Sequence, residues 1–241
     1  MPVDRFYLDK ELNQEEHVFL KEEELHHLAH VIRIKEGEVI ELVNGKGSLA
    51  TAKVEKITRQ QAEVKILSSE KSSPPSYELI LAQAIPRQPR LEYILEKGVE
   101  LGVTKIWLFP GELSEKKILA PSHLERAHYI ITSAMKQCGR LFAPELILAP
   151  PLLSWDPASS PKASFFGDTD PKAKPFLDYL IENTPTSLCL AIGPEKGFHP
   201  KETAHMKDTL HFQGVHLHPN ILRTDTAAIC SLSLASAFML T

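Results

Sequence analysis

Apolar and polar positions follow two different rhythms along this 241-residue chain, and the change falls near residue 70. Before it, residues 39–43, 49–54 and 62–67 are short runs rich in β-branched residues, partly alternating and joined by Gly or polar turns, which predicts a small β-barrel. Residues 21–32 read as a helix, with Glu22, Glu23 and Glu24 in a first turn where acidic groups favour the helix dipole. Residues 68–76, SSEKSSPPS, are polar, Pro-rich and aperiodic, as an interdomain linker is. Beyond it, strand-like runs at 79–85, 105–109, 163–166, 188–192 and 214–217 interleave with helix-like runs at 88–101, 122–138 and 226–240. That alternation predicts an α/β domain with a largely parallel sheet. In the 122–138 segment Ser122 and Glu125 have capping-box spacing, and Leu124, Ala127, Ile131, Ala134 and Met135 form one apolar stripe. The expected division is a β-barrel over residues 1–70, a linker over 71–77 and the α/β domain over 78–241. No internal repeat is visible.

Composition narrows this picture. At 43% apolar residues the chain has ample material for packed cores. Three cysteines, Cys138, Cys189 and Cys230, fit no disulfide or metal framework, which favours a reducing compartment. Asp4, Arg5 and Asp9 leave no apolar signal core at the start, and the longest apolar stretch, 227–240, is too short for a bilayer and broken by three serines. These features predict a cytoplasmic protein without a membrane span. Lys plus Arg number 27 against 31 Asp plus Glu, a net charge of -4, whereas a protein that grips nucleic acid mainly through phosphates is usually basic, so bulk charge does not argue for RNA. Any RNA contact comes from a local patch, or from a preformed RNA–protein particle that supplies shape.

Candidate chemistry concentrates in two loops, Ile192-Gly193-Pro194-Glu195-Lys196-Gly197-Phe198 and residues 218–227, HPNILRTDTA. The first follows an apolar run and leads through His199-Pro200 into a helix-compatible stretch, so it is a strand, a Gly turn and a helix start. Gly193 and Gly197 are expected to supply unusual φ values and to let backbone approach a ligand, with Pro194 stiffening the turn. The loop has neither G-x-G-x-x-G nor G-x-x-x-x-G-K-[ST], so it is not built to hold a nucleotide by its phosphates. His26, His27 and His30 include an i,i+4 pair without a third ligand, a half-exposed helix face rather than a metal site, and no metal is expected. His216 and His218 read as loop-edge residues, Lys53, Lys56 and Arg59 as a solvated face, and Lys97 with Glu100 as a helix pair.

Further segments resemble known patterns. His27-Leu28-Ala29-His30-Val31-Ile32-Arg33-Ile34, followed by Gly37-Glu38 and Asn44-Gly45-Lys46-Gly47, is similar to an "HL-x-x-VLR … G-D … DG-x-G" entry. Residues 93–103, YILEKGVELGV, resemble a "KATELGV" helix, and Glu125-Arg126 with Lys136-Gln137-Cys138-Gly139-Arg140 resemble "ER … EQSGR". The two C-terminal loops match "GPEGGF" and "LGxRILRTETA", the most specific of the set. Over nearly its whole length the chain thus resembles the ribosomal RNA small subunit methyltransferase E family of SPOUT-class enzymes. It departs at Lys196, where the family has glycine, at His218-Pro219-Asn220, where it has Gly-x-Arg, and at Asp225, where it has Glu.

The resemblance implies a PUA-like β-barrel followed by an α/β SPOUT methyltransferase domain with a C-terminal trefoil knot, and S-adenosyl-L-methionine as cofactor. The cofactor site it implies comprises Phe166 and Gly167; Gly193, Pro194, Glu195 and Gly197; and Leu217, Asn220, Ile221 and Leu222. The reaction it implies is methylation of N3 of a uridine in the decoding region of 16S rRNA, on the small ribosomal subunit, by a homodimer active in ribosome biogenesis. In that chemistry Arg223 faces the developing charge and Asp225 orients it or relays the proton; alternatively the two form a structural ion pair. Arg33 and Arg140 are the expected RNA contacts. Two alternatives stand beside this: a SPOUT enzyme with a different RNA target, and a catalytically weakened RNA-binding assembly factor in which Lys196 and Asn220 have spoiled the site.

Overall fold

A computed structural model describes residues 4–159, 161, 163–183 and 185–239. It divides into two compact units: residues up to Pro74 with Thr132–Ala143, and Pro75–Ile131 with the residues from Pro144 onward.

The first unit is a curled five-stranded sheet in the order β1-β3-β4-β5-β2, from β1 (Arg5–Tyr7), β2 (His17–Leu20), β3 (Val39–Val43), β4 (Ser48–Ile57) and β5 (Ala62–Lys71). Period-two patterning buries Ala50, Ala52 and Val54 of β4 and Ala62, Val64 and Ile66 of β5 against Phe6, Leu20, Leu28, Ile40 and Leu42. Register shifts between Thr51 and Ala52 and between Val54 and Lys56 mark bulges, which bend strands and help curl the sheet. Two expectations need correction. The polar stretch starting at Ser68 is not all linker, because β5 continues to Lys71 and pairs with Ser48–Thr51 through backbone bonds that ignore side-chain polarity. The helix expected over 21–32 is α1 (Glu22–His26) followed by a wider i→i+5 turn, His27–Ile32, which ends at Arg33 with φ 64.

The second unit holds a seven-stranded, wholly parallel sheet of order β10-β12-β9-β11-β6-β7-β8. Its strands are β6 (Glu78–Ala84), β7 (Lys105–Phe109), β8 (Glu145–Leu148), β9 (Ala163–Gly167), β10 (Lys174–Pro175), β11 (Ser187–Ile192) and β12 (Gln213–His216). Central β6 and β11 are nearly continuous apolar runs, as strands covered on both faces are. The helices are α2 (Gln88–Glu100), α3 (Pro121–Cys138, whose residues from Thr132 on are counted with the first unit), α4 (Phe176–Asn183), α5 (Pro200–Asp208) and α6 (Thr224–Met239); Leu240, where the last helix was expected to end, lies outside the described residues. α3 starts at Pro121, which puts Ser122 inside the helix and takes away its expected capping position. A capping box forms instead on α5, where the His199 ring accepts from Lys201 N–H and Glu202 accepts from His199 N–H at 2.8 Å.

From β12 the chain crosses the carboxyl ends of β9 and β11 to reach α6, which packs on α2, α4, β6 and β11. The small residues Ala228, Ser231, Ala235 and Ser236 are buried and let α6 lie close to its neighbours.

Candidate active site

A cavity of about 400 Å³ opens beyond the carboxyl ends of β9, β11 and β12, where parallel α/β sheets place their ligands. All ten residues expected around a cofactor line it: Phe166 and Gly167 close β9, Gly193, Pro194, Glu195 and Gly197 follow β11, and Leu217, Asn220, Ile221 and Leu222 follow β12. In the first loop Gly197 N–H donates to Pro194 O at 2.9 Å, leaving Glu195 and Lys196 in the middle of a tight turn. Only Gly197 has positive φ, at 73°. Gly193 is needed for a different reason from the expected one: a Cβ there would sit 3.2 Å from the backbone of Gly197 and Phe198, because the loop folds back on itself. Lys196 is exposed on the rim and has ordinary backbone, so its side chain does not strain the turn.

Polar groups missed in the sequence brace these loops from below. The fully buried Gln83 at the end of β6 donates from Nε2 to Ala84 O at 2.8 Å and Thr224 Oγ1 at 3.1 Å, with Ile192 O and Gly193 O at 3.4 Å. Thr224 in turn donates to Gly193 O at 2.6 Å, fastening the start of α6 to the first loop. Gln83 was the one amide in the apolar run 79–85, and that interruption was the available signal. On the other wall, Asp168 pairs with Lys207 at 3.0 Å and approaches Gly214 so closely that a Cβ there would lie 2.6 Å from its carboxylate.

Leu222 and Thr224 line the cavity, while Arg223 and Asp225 line a neighbouring cleft together with Arg87, Pro89, Arg90 and Tyr93. The expected pairing of Asp225 with Arg223 is not formed. Asp225 Oδ1 is held by Arg90 Nη1 at 2.5 Å, and Arg90 Nε also lies 3.4 Å from Glu195 Oε1. Glu195 accepts from Arg87 N–H at 3.0 Å, so one carboxylate of the first loop is tied to the start of α2. Arg87 forks onto Glu115 at 2.9 and 2.5 Å, and this holds the Glu115 carboxyl below its ordinary range. Arg223 is exposed and forms no ion pair among the described residues. Arg90 was invisible in the sequence because its partners lie 105 and 135 positions away.

The remaining candidates fall elsewhere. Arg33 and Arg140 belong to the first unit, where Arg33 is exposed in its left-handed backbone conformation. Lys53, Lys56 and Arg59 are exposed, and Lys97 bonds Glu100 at 2.8 Å and Glu96 at 2.7 Å. His216 and His218 do line the cavity, and His218 Nδ1 accepts from Asn220 N–H at 3.0 Å. His26 and His30 face each other with ring centroids 5.1 Å apart. Among the described residues the side chains able to gather on a metal are instead His17, Glu55 and Glu63, an ion-paired group on the first unit's sheet. Burial raises the thiols of Cys189 and Cys230, so both behave as small hydrophobes rather than nucleophiles. No helix among the described residues is long and apolar enough to cross a membrane.

Among the described residues the cavity thus combines apolar walls, exposed backbone at a glycine turn, two carboxylates and a single lysine, and a neighbouring cleft offers a guanidinium without an ion pair. Residues 72–236 match the RNA methyltransferase domain family and residues 20–67 the RNA methyltransferase PUA domain. Ribosomal RNA small subunit methyltransferase E of Buchnera aphidicola from Acyrthosiphon pisum is 25% identical over 240 residues, spanning 96% of this chain and 92% of the relative. A Legionella pneumophila methyltransferase solved with bound SAM superposes with a TM-score of 0.90 at 30% identity over 98% of each chain. Ribosomal RNA small subunit methyltransferase E of Neisseria gonorrhoeae, solved with S-adenosyl methionine, gives 0.82 at 29% identity over 96% of this chain and 95% of its own. On this match, which spans the sheet, both C-terminal loops and the N-terminal unit, the chain belongs to the RNA methyltransferase family.

Proposed function

We propose that the protein methylates small-subunit ribosomal RNA from S-adenosylmethionine, at N3 of a uridine in the decoding region. The observation that carries this is the division of residues 222–225 between cavity and cleft, which sets a donor pocket and a cationic acceptor site on the two sides of one strand of chain. The cavity fits the donor. Among the described residues Lys196 is the one Lys or Arg lining it, which does not suit a phosphate clamp, while Phe166, Ile192, Leu217 and Ile221 suit an adenine and Asp168 and Glu195 suit a positively charged tail. When bound, S-adenosylmethionine supplies an electrophilic methyl group.

The chain's own residues must do the rest. N3 lies on the Watson–Crick edge, so the base has to be splayed out of its stack before it can be reached. Loss of its proton to solvent water leaves negative charge on the ring, and a guanidinium positioned against that charge stabilises it while the methyl group is transferred and the donor leaves as its neutral thioether. Arg223, exposed in the cleft and without an ion pair among the described residues, is the guanidinium available for that role once the base is bound. Asp225, locked onto Arg90, acts as an anchor that fixes the backbone carrying Arg223.

The test is methylation by the purified protein of small subunits that lack the modification, read by mass spectrometry of digested nucleosides. Appearance of 3-methyluridine is expected. A different methylated nucleoside would redirect the target, and donor binding without any methylation would leave an assembly factor. With a net charge of -4, assembled subunits should be better substrates than naked RNA. Dimerisation belongs to the same proposal, and light scattering after size exclusion checks it.

A further inference from the structure

The cleft beside the cavity holds more than Arg223. Its floor is Pro89 and Tyr93, one turn apart on α2, and its rim carries Arg87, Arg90, Arg223 and Asp225. The opposite face of α2 is fully used, with Leu91, Ile94, Leu95, Gly98 and Val99 buried, yet Tyr93 leaves 47% of its surface open. An aromatic ring held open on a rigid helix is a ready stacking surface. Its position is constrained: the Lys97 ammonium lies 5.9 Å from the ring centroid and is itself held by Glu96 and Glu100.

Charge in the cleft narrows the ligand. Of its three arginines, Arg87 is matched by Glu115 and Arg90 by Asp225 and Glu195, which leaves Arg223 as the one without an ion pair among the described residues. A phosphate, with up to two charges, would want several free donors in convergent geometry. A flat heterocycle that is neutral on arrival and gains one charge during reaction wants a stacking face and one cation. We propose that Pro89 and Tyr93 form the subsite for the splayed-out pyrimidine base, with the Tyr93 ring stacking on it and holding its edge toward Arg223. This rests on the RNA methyl-transfer function proposed above and adds to it the surface that recognises the substrate.

Two measurements on the full chain test it. The first is photocrosslinking of a single-stranded oligoribonucleotide carrying 5-iodouridine, in the presence of S-adenosylhomocysteine, with the attachment site mapped by peptide mass spectrometry. The expected product joins the base to Tyr93; attachment confined to other residues overturns the subsite. The second compares Tyr93→Ala, Tyr93→Phe and Tyr93→Trp for donor affinity, melting temperature and kcat/KM on small subunits. Loss of one stacking partner should lower kcat/KM about 5- to 100-fold in the alanine variant. Donor affinity should hold, and both aromatic variants should stay within a few-fold of the parent. An alanine variant as active as the parent would also overturn the proposal. A parent protein that crosslinks at Tyr93 but never methylates would reject the methyl-transfer function while keeping the base subsite.

Discussion

The cavity and the cleft touch along residues 222–225, yet they are specified in opposite ways. The cavity is made by backbone: a tight turn closed by one N–H to O bond, a glycine whose Cβ would press on the facing backbone at 3.2 Å, and a glutamine that ties the ends of β6 and β11 to the start of α6. The cleft is made by charge, through arginines and carboxylates that meet from residues 87, 90, 115, 195 and 225. A pocket defined by backbone tolerates little change in side-chain volume. One defined by ion pairs tolerates volume but responds to the loss of a single charge.

The largest effect is expected where the backbone is most tightly packed. Gly193→Val places a branched side chain where even one carbon would be 3.2 Å from the Gly197 and Phe198 backbone, so the turn must open. Calorimetry should then find no measurable binding of S-adenosylmethionine or its demethylated product, at a melting temperature still showing a folded chain. Unchanged affinity would show that this turn does not form the donor pocket. Lys196→Gly is the internal comparison: with ordinary backbone and an exposed side chain at this position, it should leave affinity within a few-fold.

On the cleft side, the strongest response belongs to Arg223. If its guanidinium stabilises the charge on the deprotonated base, Arg223→Ala should leave donor affinity within a few-fold and slow single-turnover methylation by roughly 10²- to 10³-fold. That is about 3 to 4 kcal/mol of transition-state stabilisation. Arg223→Lys should recover little, since a point charge cannot reproduce a planar fork. Parallel loss of donor binding and stability would instead mark Arg223 as part of the loop's framework and dissolve the distinction between the two sites.

Arg90 joins the regions, so its removal should be felt in both. It links Asp225 to Glu195, and Arg90→Ala leaves these two partly buried carboxylates without their shared cation. A loss of about 10-fold is expected in donor affinity and again in rate, in line with one or two charge-assisted hydrogen bonds. A loss confined to rate would place Arg90 in the acceptor site alone. This residue also shows where sequence reading stopped. The cavity could be read because its loops carry short motifs that resemble a known family's; the Gly193-Pro194 turn after a strand is local in sequence, but the residues after β9 and β12 came from that resemblance alone. Arg90 sits in a string with Arg87 and gives no hint of which acids it meets, because that depends on the topology bringing residue 225 back across the sheet. The same limit explains the assignment of Asp225 to Arg223, its neighbour in sequence, and the reading of Ser68 onward as linker when a partner strand was waiting.

The smallest effect is expected at the outer edge of the cleft, and it separates ion pairs that shape the site from those that decorate it. Arg87 and Glu115 bond as closely as Arg90 and Asp225, but their side chains are 62% and 47% exposed against 24% and 22%. Water screens the outer pair, so Glu115→Gln should change donor affinity and methylation rate by less than about twofold. The sign of its pH dependence follows from the depressed carboxyl of Glu115, held down first by its hydrogen bond to Arg87 and then by burial-opposed charge attraction. A depressed acid contributes its stabilisation above its unfolded pKa and loses it as pH falls through the lower folded value. Between pH 6 and 8, then, the parent-to-variant difference in melting temperature should be small and constant, and it should shrink toward zero only in acid, below the usual Glu range near 4.5. A tenfold loss of activity at neutral pH would show that Arg87 must be held to organise the cleft, and that exposure alone does not sort its arginines.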